Sequence, residues 1–324
     1  MSASLLRLTR ALSRTAEAES GTTAPHGSGG LLVRPLTTTV PKELVQRSSV
    51  AEVVLTGWER VGGHRFAVAA QWPRGHSFFA SDGRYHLLIA AETIRQTATL
   101  LGHAEYGVPL DRRLLVEGID VSTLPECFGI DWTPAALELR ADVLTTAEED
   151  GTLSGLRVDV EIRRDGRLAA TGGALARAVP AQDGVPEASS PLPRTVALTP
   201  PVAPRAVGRL SPADVLLSPT ERPDRWLLRV NTAHPVFFDR HADHIPDTML
   251  LEAACQAAAM ALGRPCVPLD ITSEFDRRAD PAGDCVIAAW RIPGSGADAS
   301  ESVLVTGRQG GETVFRSAVT VAGG

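Results

Sequence analysis

Apolar and polar residues alternate along VAEVVLTGWERVGGHRFAVAAQW, a two-residue period that predicts a hairpin turning at Val61–His64. The same alternation in ADVLLSPTERPDRWLLRVNT predicts a second hairpin turning near Pro223–Asp224. Beyond each hairpin the period changes. Residues of about 87–103 and 247–262 are apolar on almost every side, which predicts two long helices. A helix without a polar face has to be enclosed by the rest of the fold. Further alternating segments follow, GLRVDVEIRRDGRLAATGGALARAV and SVLVTGRQGGETVFRSAVTV, whose DG and GG pairs mark the turns of long hairpins.

Hairpin, enclosed helix and strands thus occur twice in the same order. Glu92 corresponds to Glu252 and Gln96 to Gln256, both at a separation of 160 residues, so the register holds across the helix. One helix wrapped by a curled antiparallel sheet is the hotdog arrangement. Two copies in one chain predict an α+β double hotdog with an internal pseudo-twofold axis, the sheets joining edge to edge and removing exposed strand edges. The Ser-, Thr-, Gly- and Pro-rich residues 1–40 predict a disordered arm, 41–180 the first domain, 181–208 a Pro-rich linker and 209–324 the second domain.

Composition narrows the function. The 324 residues, 44% hydrophobic and 22% charged, provide two ordinary cores without disulfide staples. Cys127, Cys255, Cys266 and Cys285 form no CxxC pair, as expected of reduced thiols in the cytoplasm. No apolar run approaches the roughly 20 residues that span a bilayer, and the first residues lack a signal-peptide core, so no membrane association is expected. A net charge of −6 argues against nucleic-acid binding. P-loop, dinucleotide fingerprint and G-x-S-x-G elbow are all missing, so no cofactor is expected. His241 and His244 precede Pro246 without helical or strand spacing to aim both rings, so no metal site is expected.

Glu92, Arg95 and Gln96, at i, i+3 and i+4, leave the first helix on one face. Burying such groups costs free energy unless they are partnered or used, so a structural ion pair and a reacting site are both open readings. Glu252 and Gln256 repeat the pattern, with Cys255 where Arg95 stood. Ahead of the helices lie Arg74, His76 and His86 in one half and His234, Asp239, His241, Asp243 and His244 in the other. Histidine suits general acid or base work, and helix N-terminal amides suit polarisation of a thioester carbonyl.

QWPRGHSFF, AAETIRQ, YGVPL and DHIPDTMLLEAACQAA resemble the A-factor biosynthesis (AfsA-type) family over most of residues 40–324. More distantly, the helix motif of the second half is similar to that of the β-hydroxyacyl carrier-protein dehydratases, which are hotdog enzymes. The resemblance implies a cytoplasmic acyltransferase of secondary metabolism. It would move a β-ketoacyl group from an acyl carrier protein thioester to the hydroxyl of dihydroxyacetone phosphate, on the way to a γ-butyrolactone or butenolide signal. On that reading Glu92, Arg95 and Glu252 are the catalytic candidates. Arg74, His76, Gln96, His244 and Gln256 are the substrate-binding candidates, and Leu88, Leu100 and Leu251 would line a tunnel for the alkyl chain. A hotdog dehydratase or thioesterase and a non-catalytic acyl-binding regulator are the alternatives. The chain departs from the family pattern in three places: Tyr85-His86 replaces Asp-Pro before the first helix, Cys255 replaces Arg, and Asp247 replaces Gly. The loss of an arginine removes a bidentate phosphate ligand from the second half.

Overall fold

The computed structural model describes residues 38–149, 152–180, 198–239, 243–293 and 300–323. Strands β1 (Leu55–Gly62) and β2 (Arg65–Trp72) form the first hairpin. The short pair β3 (Ala80–Ser81) and β4 (Arg84–Tyr85) then leads into helix α1 (Leu87–Ala104) and strands β5 (Arg112–Thr123), β6 (Ala135–Glu149), β7 (Thr152–Arg164) and β8 (Arg167–Pro180). The second half runs β9 (Leu217–Pro219), β10 (Arg225–Leu228), α2 (Asp247–Leu262), β11 (Pro268–Phe275), β12 (Cys285–Ile292), β13 (Ser300–Gln309) and β14 (Glu312–Ala322).

All strands except β3 and β4 join in one sheet of order β1-β2-β6-β7-β8-β5-β11-β14-β13-β12-β10-β9. The order reads the same from either end once each strand is exchanged for its equivalent, so the halves are related by a pseudo-twofold axis between β5 and β11. These two central strands pair antiparallel, Ile271 opposite Val121 and Thr272 opposite Asp120. The join satisfies two edges that would otherwise be unpaired. It is the double hotdog expected from the repeat.

Local chemistry explains the elements. Asp165-Gly166 and Gly310-Gly311 all have positive φ, as tight hairpin turns require. In β2, Phe66, Val68, Ala70 and Trp72 are buried in alternation. Helix α1 is buried from Leu87 to His103. Helix α2, rich in alanine, stops at Gly263, which takes the left-handed conformation and donates its N–H back to Ala259 and Met260. Leu88, Leu100 and Leu251, expected to line a tunnel, are 1%, 0% and 1% exposed and belong to the packed core.

Ordered structure in the second half begins before position 209. Val202 and Val207 are buried, and Val202 N–H donates to Leu217 O at 2.9 Å, so the end of the expected linker is already part of the domain. Most of the expected arm and residues 181–197 lie outside the described residues. Among the described residues no helix is long and apolar enough to cross a membrane.

Gly172 lets α1 and β5 approach β8. A Cβ there would lie 2.1 Å from Asp120 O and 3.0 Å from Ile94 Cδ1. Gly172→Ala should therefore destabilise the protein by about 1–3 kcal/mol through overpacking. An unchanged denaturation midpoint would contradict this close approach.

Candidate active site

Each central helix carries its glutamate to the plane between the halves, and each glutamate is met by an arginine from the segment preceding the first hairpin strand. Arg47 follows a 3₁₀ turn (Lys42–Val45) and a left-handed Gln46. Arg209 follows a 3₁₀ turn (Pro204–Val207) and a left-handed Gly208. The segments VQRSSVAEV and VGRLSPADV are thus a second repeat, at a separation of 162 residues. The two arginines had no place among the residues expected from the sequence, because they lie far from the helices along the chain. The paired V-x-R-x-S motif was the available signal.

Glu92 is 1% exposed and fully engaged. Its Oε1 accepts from Arg47 Nε (3.0 Å), Arg95 Nη2 (2.7 Å) and Gln96 Nε2 (2.6 Å), and its Oε2 accepts from Arg95 Nε (2.9 Å). Burial pushes its carboxyl upward, but the charges and hydrogen bonds of Arg47 and Arg95 outweigh that and hold it at about 2. A carboxylate so stabilised is a poor proton acceptor, and the geometry makes Glu92 an anchor for two guanidinium groups. Gln96 is completely buried and consumed, its Oε1 accepting from Val54 N and its Nε2 donating to Glu52 O and Glu92. Gln256 does the same with Leu216 N, Asp214 O and Glu252. Neither glutamine has a polar atom left for substrate, which corrects their expected binding role.

Both anchoring arginines cross to the opposite half. Arg47 Nη1 donates to Val236 O at 3.3 Å and faces Asp239 Oδ1 at 3.5 Å, while Asp239 Oδ2 accepts from Ser48 N at 3.0 Å. Arg209 holds Glu252 through Nε (2.7 Å) and Nη2 (2.6 Å), and donates Nη1 to Phe78 O at 2.9 Å.

The two clusters then diverge. Around Glu252, the Phe78 ring lies 4.0 Å from the Arg209 guanidinium and His86 Nε2 lies 3.8 Å from Glu252 Oε2. Around Glu92 the equivalent positions are Val236 and Pro246. There a pocket of about 160 Å³ opens between the halves. Arg47 and Arg95 reach it from one half, and Asp239, His244 and Asp247 from the other, with Arg113, Arg277 and Arg278 also on its wall. His244 Nδ1 is 2.7 Å from Asp243 Oδ1. The carboxylate can only accept, so Nδ1 carries the ring hydrogen and Nε2 is left as an unprotonated acceptor in the neutral ring. Burial raises the Asp243 carboxyl, but the hydrogen bond and charge of His244 and the charge of Arg278 bring it below its usual value.

Other expected site residues lie elsewhere. Arg74 is exposed and stacks over the ring of exposed Trp132 at 5.5 Å, on the wall of neither pocket described here. His76 lines a second pocket, within the first half. His241 is outside the described residues. The second amide of each helix is already taken, Leu88 N donating to His86 Nδ1 (3.3 Å) and Thr248 N to Asp247 Oδ1 (3.0 Å).

The A-factor biosynthesis hotdog domain family matches residues 32–180 and 193–275. A 2-oxo-3-(phosphooxy)propyl 3-oxoalkanoate synthase of Streptomyces virginiae is 42% identical over 298 residues, covering 89% of this chain and 99% of the relative. A synthase of the same name from Streptomyces coelicolor is 38% identical, covering 85% and 89%. Among solved structures, the 12:0-ACP thioesterase from Umbellularia californica superposes with a TM-score of 0.51 at 13% identity, covering 80% of this chain and 94% of that one, a likeness of fold.

His86 supplies a test of the closed cluster. Burial, reinforced by Arg209 and only partly offset by Glu252, lowers its pKa from 6.5 to about 4. Between these values the unfolded chain binds a proton that the folded chain does not, so stability falls as pH drops from 6.5 to 4 and this contribution levels off below 4. His86→Asn retains an N-cap acceptor without titrating. Urea midpoints at pH 7 and pH 5 should differ less in the variant than in the wild type, and an equal difference would contradict the packing of a neutral His86 beside Arg209.

Proposed function

The chain belongs to the A-factor biosynthesis hotdog family, and on that premise we propose that it transfers a 3-oxoacyl group from an acyl carrier protein thioester to the hydroxyl of dihydroxyacetone phosphate, at the pocket between its halves. The observation that carries this reading is the convergence there of a His–Asp pair and several arginines. The product would be the phosphorylated ester for which the Streptomyces relatives are named.

His244 Nε2 takes the proton of the acceptor hydroxyl as the oxygen attacks the thioester carbonyl. The carbon–sulfur bond breaks as the tetrahedral intermediate collapses, and the proton passes from His244 to the departing thiolate. Asp243 fixes the ring and stabilises its transient positive charge. Arg95, with Arg113 and Arg278 across the pocket, suits the acceptor's phosphate, because guanidinium groups match phosphate oxygens in geometry and charge. Glu92 and Arg47 are positioning residues that hold Arg95 and the facing loop. The cluster around Glu252, closed by Phe78 and His86, is structural on this reading, which leaves one reacting site per chain.

Incubation with a 3-oxoacyl carrier-protein thioester and dihydroxyacetone phosphate should give the ester by mass spectrometry. Free acid formed without the acceptor would instead indicate a hydrolase, and enoyl thioester formed from a 3-hydroxyacyl carrier-protein thioester a dehydratase. His244→Ala should lower kcat by about 10²–10⁴-fold. Arg95→Lys should chiefly raise KM for the phosphorylated acceptor. The paired replacement Arg209→Met/Glu252→Met removes both charges of the closed cluster and should leave kcat within a few-fold, with circular dichroism confirming the fold. Full activity in His244→Ala would move the chemistry elsewhere.

A further inference from the structure

A second pocket, of about 220 Å³, lies within the first half beneath the segment from Val50 to Thr56. Val54, Phe79 and Ile89 give it apolar walls. Its polar lining includes Thr39, Glu52, which is faced by His76 Nε2 at 3.5 Å, and Thr56, whose Oγ1 is buried with no hydrogen-bond partner among the described residues. Since His76 Nδ1 accepts from the amides of Phe78 (3.1 Å) and Phe79 (3.0 Å), the ring hydrogen sits on Nε2, toward Glu52. Gln71 is exposed on the pocket wall.

The second half of the chain shows what fills the equivalent space. Gln71 N–H donates to Val54 O at 2.9 Å as Arg229 N–H donates to Leu216 O at 2.8 Å, and Val54 and Leu216 donate in turn to Gln96 and Gln256. This register equates Gln71 with Arg229, Val50 with Pro212, Val53 with Val215, and Thr56 with Ser218. The Arg229 side chain turns inward, the residue being 8% exposed. Its Nε donates to Thr199 O at 2.8 Å, and its Nη1 donates to Pro212 O at 3.1 Å and to Val215 O. Ser218 Oγ is satisfied by Thr199 Oγ1 at 2.5 Å. In the first half the shorter Gln71 leaves that volume as a pocket. The carbonyls of Val50 and Val53 remain on its lining segment, and the carboxylate of Glu52 stands where the second half has Asp214, which pairs there with His234 Nε2 at 3.1 Å.

We propose that this pocket binds a small organic cation with a guanidinium or ammonium head on a short alkyl stem. The head meets the carbonyls of Val50 and Val53 and the Glu52 carboxylate, and Thr56 Oγ1 accepts one further hydrogen bond. The stem lies along Val54, Phe79 and Ile89. The site is independent of the proposed acyl transfer, but it adjoins the Glu92 cluster. Glu52 O accepts from Gln96 Nε2 at 2.8 Å, and the same Nε2 donates to Glu92, so a ligand that orders this segment acts next to the group that anchors Arg95.

Isothermal titration calorimetry of the full chain with n-propylguanidinium, which reproduces the arginine side chain, and with its neutral isostere n-propylurea tests the assignment. The cation should bind once per chain and at least ten-fold more tightly than the urea. Gln71→Arg, which supplies the guanidinium covalently, should weaken that binding at least ten-fold and raise the thermal midpoint of the ligand-free protein. Glu52→Gln, with its fold checked by circular dichroism, should weaken it several-fold. Equal affinity for cation and urea, unchanged binding in Gln71→Arg, or preferential binding of hexanoate would overturn the proposal, the last by marking the pocket as an apolar acyl site.

Discussion

The arrangement between the halves depends on how a carboxylate can be kept ionised in a core. Glu92 and Glu252 sit on helices that are otherwise apolar, and each is 1% exposed. An unpaired charge there would cost several kcal/mol, and breaking such a pair by removing one partner typically costs about 3–5 kcal/mol. The protein meets that cost with a guanidinium from its own half, a glutamine one helical turn on, and, for Glu92, Arg95. Because each guanidinium still has a donor to spare, it also binds a backbone carbonyl of the opposite half, Val236 for Arg47 and Phe78 for Arg209. The same interaction that makes a buried charge tolerable therefore ties the loops of one half to the helix of the other.

Duplication lets the two copies of this device diverge. Around Glu252 the space is taken by the rings of Phe78 and His86, and Cys255 requires no counterion. Around Glu92 the charges change together. Arg95 appears in place of Cys255, and Asp239 and Asp247 stand where the first half has Ser81 and Leu87. Burial works against the charge of Arg95, but Glu92, Asp247 and Asp239 hold it protonated. With Val236 and Pro246 replacing the two rings, a pocket remains, and it is bordered by His244 and arginines from both halves. Of the departures from the family pattern, His86 and Cys255 fall on the Glu252 cluster, whereas Asp247 lies in the open pocket with Arg95.

Much of this architecture was legible in the sequence because it is written in short-range periodicity. The hairpin at Val61–His64, the helix limits and the glutamate–glutamine repeat all appear in the structure. What lay beyond reach was the partner of each polar side chain. Gln96 and Gln256 look like substrate groups on a helical face, yet they serve backbone atoms of Glu52, Val54, Asp214 and Leu216, roughly forty residues away. Arg47 and Arg209 follow 3₁₀ turns and have no helical phase to reveal their direction, and Arg209 lay against the expected linker. Arg74, grouped with the site by its place before the helix, instead stacks on Trp132. Spacing identifies groups on one element, whereas the interface between halves brings together residues that no local period connects.

The central claim is that the duplicated chain keeps one cluster open for a phosphorylated substrate and seals the other. Equilibrium dialysis with radiolabelled dihydroxyacetone phosphate measures this directly. The account predicts one molecule bound per chain, lost in Arg95→Met and retained in the Arg209→Met/Glu252→Met protein. Two molecules per chain, or binding that survives in Arg95→Met and disappears with the Glu252 pair, would contradict it.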